Sequence, residues 1–255
     1  MKKIFKFILT IVFVLSFSTA HAAEDAVTPP DMDWPHEGIF GTYDKAALQR
    51  GYQIYRENCA ACHSMRYLSY RNLQEIGFTE NEVKALAADY MVTDGPNDEG
   101  EMFERTAKPA DRFVSPYPND NAGRYANNGA LPPDLSLVVK AREHGEDYIY
   151  ALLTGYKDAP AGETLGNGQY WNEYFLGHKI AMPPPLSDGL ITYSDGTSAS
   201  LEMAAADVTQ FMAWAAEPSQ DARKKMGLKV ILYLMLLTGL LYLSKKKIWR
   251  DVKNK

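Results

Sequence analysis

Apolar positions along this 255-residue chain follow three patterns. The first is helical. Over 44–58, Leu48, Tyr52 and Tyr55 recur at helical spacing behind Asp44, a residue suited to capping a helix N-terminus. A second helix is predicted over 66–77, closed by Gly77. A third, over 79–91, opens with the Thr79–Glu82 pair of a capping box. Helices are also predicted over 134–145, 146–155 and 200–217. The last of these aligns Val208, Phe211, Met212 and Ala215 on one face and stops at Pro218.

The second pattern is the unbroken apolar run, and it occurs twice. Near the start, Lys2, Lys3 and Lys6 lead into "ILTIVFVLSF", and Ala20-His21-Ala22 supplies a small-x-small cleavage signal. Residues 1–22 therefore read as a signal peptide. Near the end, Met226–Leu243 carries a single charge, Lys229, and is long enough to span a bilayer. Tyr242 and Trp249 suit its interface, and Lys245, Lys246, Lys247 and Arg250 form a basic stop. The expected layout is a signal peptide over 1–22, an exported domain over 23–222, and a transmembrane anchor with a short cytoplasmic tail over 223–255.

The third pattern is the loss of rhythm. Residues 93–133 and about 156–198 are rich in Gly, Pro, Asn and Asp and show no period. Loops this long in a compact domain are functional or wrap around something. No internal repeat is present, and alternation typical of strands is scarce. The fold class expected is mainly α, with long loop insertions and one C-terminal transmembrane helix.

Charge sharpens this layout. The whole chain has a net charge of −5. Residues 24–222 hold 14 basic against 31 acidic side chains, a net charge of −17. Such a domain steers basic partners toward itself at low salt. It argues against nucleic acid as a partner, because phosphates need a basic surface.

The chain's two cysteines both sit in "ENCAACHS", as Cys59 and Cys62, with His63 next. Cys-x-x-Cys-His is the attachment pattern of c-type haem. The spacing lets both sulfurs reach one porphyrin edge while the histidine offers an imidazole nitrogen to iron. Three other readings of the pair are a structural disulfide, a thioredoxin-like redox pair and half a zinc site. The redox pair belongs in a βαβ unit that this pattern lacks, and the zinc site needs a second cysteine pair that the chain does not have.

Iron bound by one imidazole wants a further axial ligand. Met182 is the leading candidate, at the head of the stiff Pro183-Pro184-Pro185 run and 119 residues beyond His63. His178 is the second candidate; a bis-histidine centre would have a lower potential. Packing of Met182 in the core remains the plain alternative. Arg124 and Arg142 are candidates to pair with the haem propionates.

The segments "CAACHSMRY", "GRYANNGALPPDLSL", "GEDYIYALLTGY", "IAMPPPL" and "WAAEPSQDARKKMGLK" together resemble the cytochrome c1 family, in an alphaproteobacterial or mitochondrial-like form. They cover nearly the whole domain and the anchor, in order. The resemblance implies a class I cytochrome c-like haem domain carrying one covalently attached haem c. It implies that Cys59 and Cys62 carry the thioether bonds and that His63 and Met182 are the axial metal ligands. Arg142 would pair with a propionate. Asn127, Pro132, Pro133 and Tyr148 would line the pocket.

The resemblance further implies an electron carrier that makes and breaks no substrate bond, the redox subunit of the ubiquinol–cytochrome c reductase complex. Electrons would arrive from the Rieske iron–sulfur protein and leave to a cytochrome c. Cytochrome b would hold the anchor in a dimeric complex in the inner membrane, with the haem domain on the periplasmic side. Asp94, Asp98, Glu99, Glu101 and Glu104 form the densest acidic group for docking a basic acceptor. Some relatives carry extra cysteines paired in the loops; this chain has none to spare. A free-standing anchored cytochrome feeding an oxidase is the nearest alternative, and an exported thiol–disulfide oxidoreductase the more distant one.

Overall fold

The computed structural model describes residues 27–253, so the signal peptide expected over 1–22 lies outside the described residues. Helix α1, Lys45–Ile54, starts where Asp44 accepts a hydrogen bond from the Ala46 amide at 2.9 Å. It runs on through a π-helical turn, Tyr55–Cys59, which delivers the first cysteine. A 3₁₀ helix, Tyr70–Ile76, follows and is ended by Gly77, whose φ of +109° favours glycine. Helix α2, Glu80–Ala88, opens with the predicted capping box: the Thr79 amide donates to Glu82 at 2.7 Å and the Glu82 amide to Thr79 at 3.3 Å.

Strands β1, Met91–Asp94, and β2, Phe103–Thr106, form an antiparallel hairpin with Met91 opposite Thr106. Helix α3, Asp120–Ala126, is capped by Asn119, and α4 spans Gly145–Thr154. Three short strands, β3 Tyr156–Lys157, β4 Tyr170–Asn172 and β5 Lys179–Ile180, make an antiparallel sheet in that order. Helix α5, Leu201–Ala216, is capped by Ser200. Helix α6 spans Gln220–Lys253.

The core forms where α1 crosses α5. Leu48, Ile54, Val208 and Phe211 are fully buried there. Tyr52 and Tyr55 pack their rings against Phe211 and Phe113, with centroids 5.7 to 6.0 Å apart. Such aromatic pairs add to the stabilisation from buried area. Polar ties lock the crossing. Arg50 grips Asp207 with two hydrogen bonds, 2.6 and 2.8 Å, and the Tyr193 hydroxyl donates to the same carboxylate at 2.7 Å. Asp207 is buried, and the three donors offset the cost of burying its charge.

Two expectations are corrected. Of the helix expected over 134–145, residues 135–144 form a series of turns and only Gly145 is helical, as the start of α4. The stretches read as loops contain most of the β1–β2 hairpin, helix α3 and the β3–β5 sheet. The hairpin is braced by Arg105, which pairs with both Asp94 and Asp111. Among the described residues α6 is the one helix long and apolar enough to cross a membrane, and none of its apolar stretch is buried by them.

Candidate functional site

The π-helical turn at the end of α1 carries the Cys-x-x-Cys-His segment, and backbone bonds hold it. The Cys62 and His63 amides both donate to the Cys59 carbonyl, at 3.1 and 2.8 Å. The two thiols are free rather than joined. Burial pushes the Cys59 thiol up to about 12, with the nearby Cys62 adding to the effect. A redox-active pair needs the opposite shift, toward thiolate. Among the described residues no group of three or more His, Cys, Asp or Glu gathers to hold a metal ion, so half a zinc site finds no second half.

His63 is oriented by the backbone. Its Nδ1 donates to the Pro133 carbonyl at 2.8 Å. A carbonyl can only accept, so Nδ1 carries the proton and Nε2 keeps its lone pair. Burial lowers the imidazole pKa, outweighing the Pro133 carbonyl and Asp134, which raise it. A neutral ring with a free Nε2 is what an iron ligand requires, and the hydrogen bond on the other nitrogen fixes its direction.

Asp134 fastens the two segments that create this bond. Its carboxylate accepts from the Ser64 hydroxyl at 2.7 Å, the Arg66 amide at 2.9 Å and the Ser136 amide at 2.9 Å. The Leu135 amide donates back to the Ser64 carbonyl at 2.8 Å, and the Tyr67 amide to the Ser136 hydroxyl at 3.1 Å. Partial burial pushes the Asp134 carboxyl up, but these donors overcome it and hold its pKa below the usual value. Asp134→Ala is expected to cost about 2 kcal/mol by stranding several donors, with Asp134→Asn recovering part. Denaturant unfolding checks both. The carboxylate's stabilisation is complete above about pH 4. It fades as pH falls through the lower folded-state value, and Asp134→Asn should lose that acid sensitivity.

Met182 lies at the start of the proline run, half-buried and irregular in backbone. The Tyr156 hydroxyl donates to its carbonyl at 3.1 Å. Three residues on, the Pro185 carbonyl accepts from the Asn58 side chain at 3.2 Å. Asn58 immediately precedes Cys59, so the methionine loop is tied to the cysteine segment despite the long sequence gap. His178 is otherwise engaged. Its ring stacks on Trp171 with centroids 4.8 Å apart, its Nδ1 donates to the Asn172 carbonyl at 3.2 Å, and its φ is +59°.

The remaining predicted residues divide. Arg142 is exposed and donates only to the Ala141 carbonyl, so among the described residues no carboxylate claims its guanidinium. It lies close enough to Tyr148 to act on that phenol electrostatically: burial raises the Tyr148 pKa and Arg142 lowers it. Arg124, by contrast, reaches the Gly129 carbonyl at 3.4 Å. Asn127 donates to the Tyr117 hydroxyl at 3.0 Å and the Gly123 carbonyl at 2.7 Å, so its amide braces the end of α3. Pro132 is half-buried beside Pro133. A cavity of about 480 Å³ opens beside the β3–β4 strands and is lined in part by Tyr156, Trp171 and Pro184.

Two free thiols, an imidazole presenting Nε2 and a loop-held thioether form a donor set that fits a covalently attached haem. Residues 34–252 match the model of the Cytochrome C1 family. The chain belongs to the cytochrome c1 family. Members of that family carry a covalently bound haem c and serve as electron-transferring subunits. A cytochrome c1 of Arabidopsis thaliana mitochondria is 49% identical, over 94% of this chain and 82% of its own length. Cytochrome c1 of Rhodospirillum rubrum is 48% identical, over 92% of both chains. "Cytochrome b/c1" of Bradyrhizobium diazoefficiens is 46% identical over 94% of this chain, which spans only 38% of that longer protein. Membership accounts for the mainly helical fold, the C-terminal helix and the Cys-x-x-Cys-His segment together.

Sequence reasoning found the ligand candidates but missed Asn58, Asp134 and Tyr156. Asp134 had a signal, as an acidic residue directly after Pro132-Pro133. The other two act through backbone carbonyls, which leave no mark on the sequence.

Proposed function

We propose that this chain is the haem-bearing subunit of a ubiquinol–cytochrome c reductase, taking single electrons from a Rieske iron–sulfur protein and passing them to a cytochrome c. The carrying observation is the His63 Nδ1–Pro133 bond, which leaves Nε2 free beside two unpaired thiols. Haem, when bound, supplies a one-electron Fe(III)/Fe(II) couple. Cys59 and Cys62 would hold its edge, and His63 and Met182 would be the axial ligands. Arg142, lacking a carboxylate partner among the described residues, would receive a propionate. Pro132, Pro133 and Tyr148 would exclude water, and Asn127 would keep the neighbouring loop in place.

The 38% coverage of a relative named for both cytochrome b and c1 supports a position beside cytochrome b. The proposed layout is a signal peptide over 1–22, a haem domain over 23–222 on the periplasmic side of the inner membrane, and an anchor with a short cytoplasmic tail over 223–255. A haem-stained denaturing gel tests the cofactor, because covalent haem travels with the chain. Colourless protein would return the cysteines to thiol–disulfide chemistry. Purification from membranes tests the assembly. Recovery without cytochrome b and the Rieske protein would favour a free-standing cytochrome.

The acceptor surface is proposed at the β1–β2 hairpin. Asp98, Glu99, Glu101 and Glu104 are exposed on it, whereas Asp94 is held by Arg105 and is less available for docking. Neutralising the four exposed acids should slow electron delivery to a basic cytochrome at low salt and leave the rate at high salt unaltered. Stopped-flow oxidation across a salt series measures this. An unchanged low-salt rate would move the docking surface elsewhere.

A further inference from the structure

The segment between Trp34 and Tyr43 folds into a tight loop with an apolar tip that the domain does not cover. The Glu37 amide donates to the Trp34 carbonyl at 3.0 Å, and the Thr42 amide to the Pro35 carbonyl at 3.1 Å. Gly38 adopts a φ of +66°. At Gly41 the chain returns so closely that a Cβ would lie 1.8 Å from the Glu37 carbonyl oxygen. Ile39 and Phe40, at the tip, are 78% and 82% exposed.

The base of the loop is tied to the first turn of α6. Lys224 Nζ donates to the His36 carbonyl at 2.5 Å and to the Gly41 carbonyl at 3.0 Å, bridging both stems. The Gln220 side chain donates through Nε2 to the same His36 carbonyl at 2.7 Å. The Tyr43 hydroxyl donates to Gln220 at 3.2 Å, and the Tyr43 amide to Asp221 at 3.4 Å. The apolar stretch of α6, broken only by Lys229, begins two residues after Lys224, at Met226. At helical rise that is about 3 Å along the axis. The headgroup region on each side of a bilayer is roughly 5 to 8 Å deep. A loop clamped at Lys224 therefore sits at headgroup depth, beside the basic residues Arg223, Lys224 and Lys225.

Resting on the reading of α6 as a membrane span, we propose that the Ile39–Phe40 tip is inserted into the lipid interface as a second membrane contact. With the Lys224 clamp it fixes the tilt of the haem domain over the bilayer. The lipid surface is the occupant because the loop is hydrogen-bonded to the helix that enters it. An isoleucine–phenylalanine pair gains by leaving water at that depth.

The test uses the full haem-loaded chain, reduced, in nanodiscs of phosphatidylcholine and phosphatidylglycerol. A nitroxide is placed on Phe40→Cys, with Leu234→Cys in α6 and Asp98→Cys on the hairpin as references. Oxygen should relax the Phe40 label more than a water-soluble nickel chelate does, between the two references. A Phe40 label that behaves like Asp98 overturns the proposal. So does a label that is immobilised and shielded from both reagents in the purified multi-subunit complex, which would make this face a protein-docking surface. A Leu234 label exposed to the chelate would instead overturn the membrane reading of α6. Should Phe40→Cys fail to acquire haem, Ile39→Cys carries the same measurement with the same outcomes.

Discussion

Replacing Met182 with leucine should lower the haem reduction potential by roughly a few hundred millivolts, within the span of about 0.8 V that axial ligation covers. Leucine keeps the apolar bulk and removes the sulfur. A thioether favours Fe(II), so its loss favours the oxidised form. The loop itself should persist. Its ties are backbone carbonyls, Met182 to Tyr156 and Pro185 to Asn58, and neither depends on the side chain. The haem should stay on the chain in a denaturing gel, which separates loss of a ligand from loss of the cofactor. Potentiometric titration reads the shift. An unchanged potential would reassign the role, with His178 next in line. For His178 to serve with a reoriented ring, it would have to leave Trp171 and the Asn172 carbonyl.

What the sequence disclosed depended on the range of the interactions. Local devices were legible. Asp44, Thr79 with Glu82, and Gly77 cap or stop helices through bonds spanning a few residues, and all do so. The Cys-x-x-Cys-His segment was legible for the same reason. Residues 134–145 failed instructively. Leu135, Val138 and Val139 have helical spacing and are all buried, although no helix forms there. The first amides there are claimed elsewhere: Leu135 donates to the distant Ser64 carbonyl, and Ser136 to the Asp134 side chain. Tertiary bonds override helix propensity, which is a weak preference. The strands of the β3–β5 sheet are two or three residues long, too short to show alternation. The Pro133 carbonyl, central to the site, is chemically the same group in every residue.

Gly51→Ala should destabilise the haem-loaded protein by about 3 kcal/mol, the upper end for forcing atoms into a packed core. Helix propensity alone predicts the opposite sign, because alanine inside a helix is worth about 1 kcal/mol over glycine. Packing decides. A Cβ at Gly51 would lie 2.2 Å from the Asp207 carbonyl oxygen and 2.7 Å from Phe211 Cβ, across the α1–α5 crossing. The first of these is backbone and cannot rotate away, so the helices must part. Parting them also strains the Arg50–Asp207 fork, which bridges the same crossing from the next residue along. Denaturant unfolding of the two proteins measures the difference, and a midpoint equal to or above the parent's would show that α1 and α5 separate freely there. The displacement should not stay local. Helix α1 feeds directly into the turn ending at Cys59, and His63 is aimed by a bond from that segment to Pro133. A shifted α1 should therefore also perturb the haem potential, in the same direction as a weakened axial ligand set. In this fold a glycine in the core thus guards the geometry of the site.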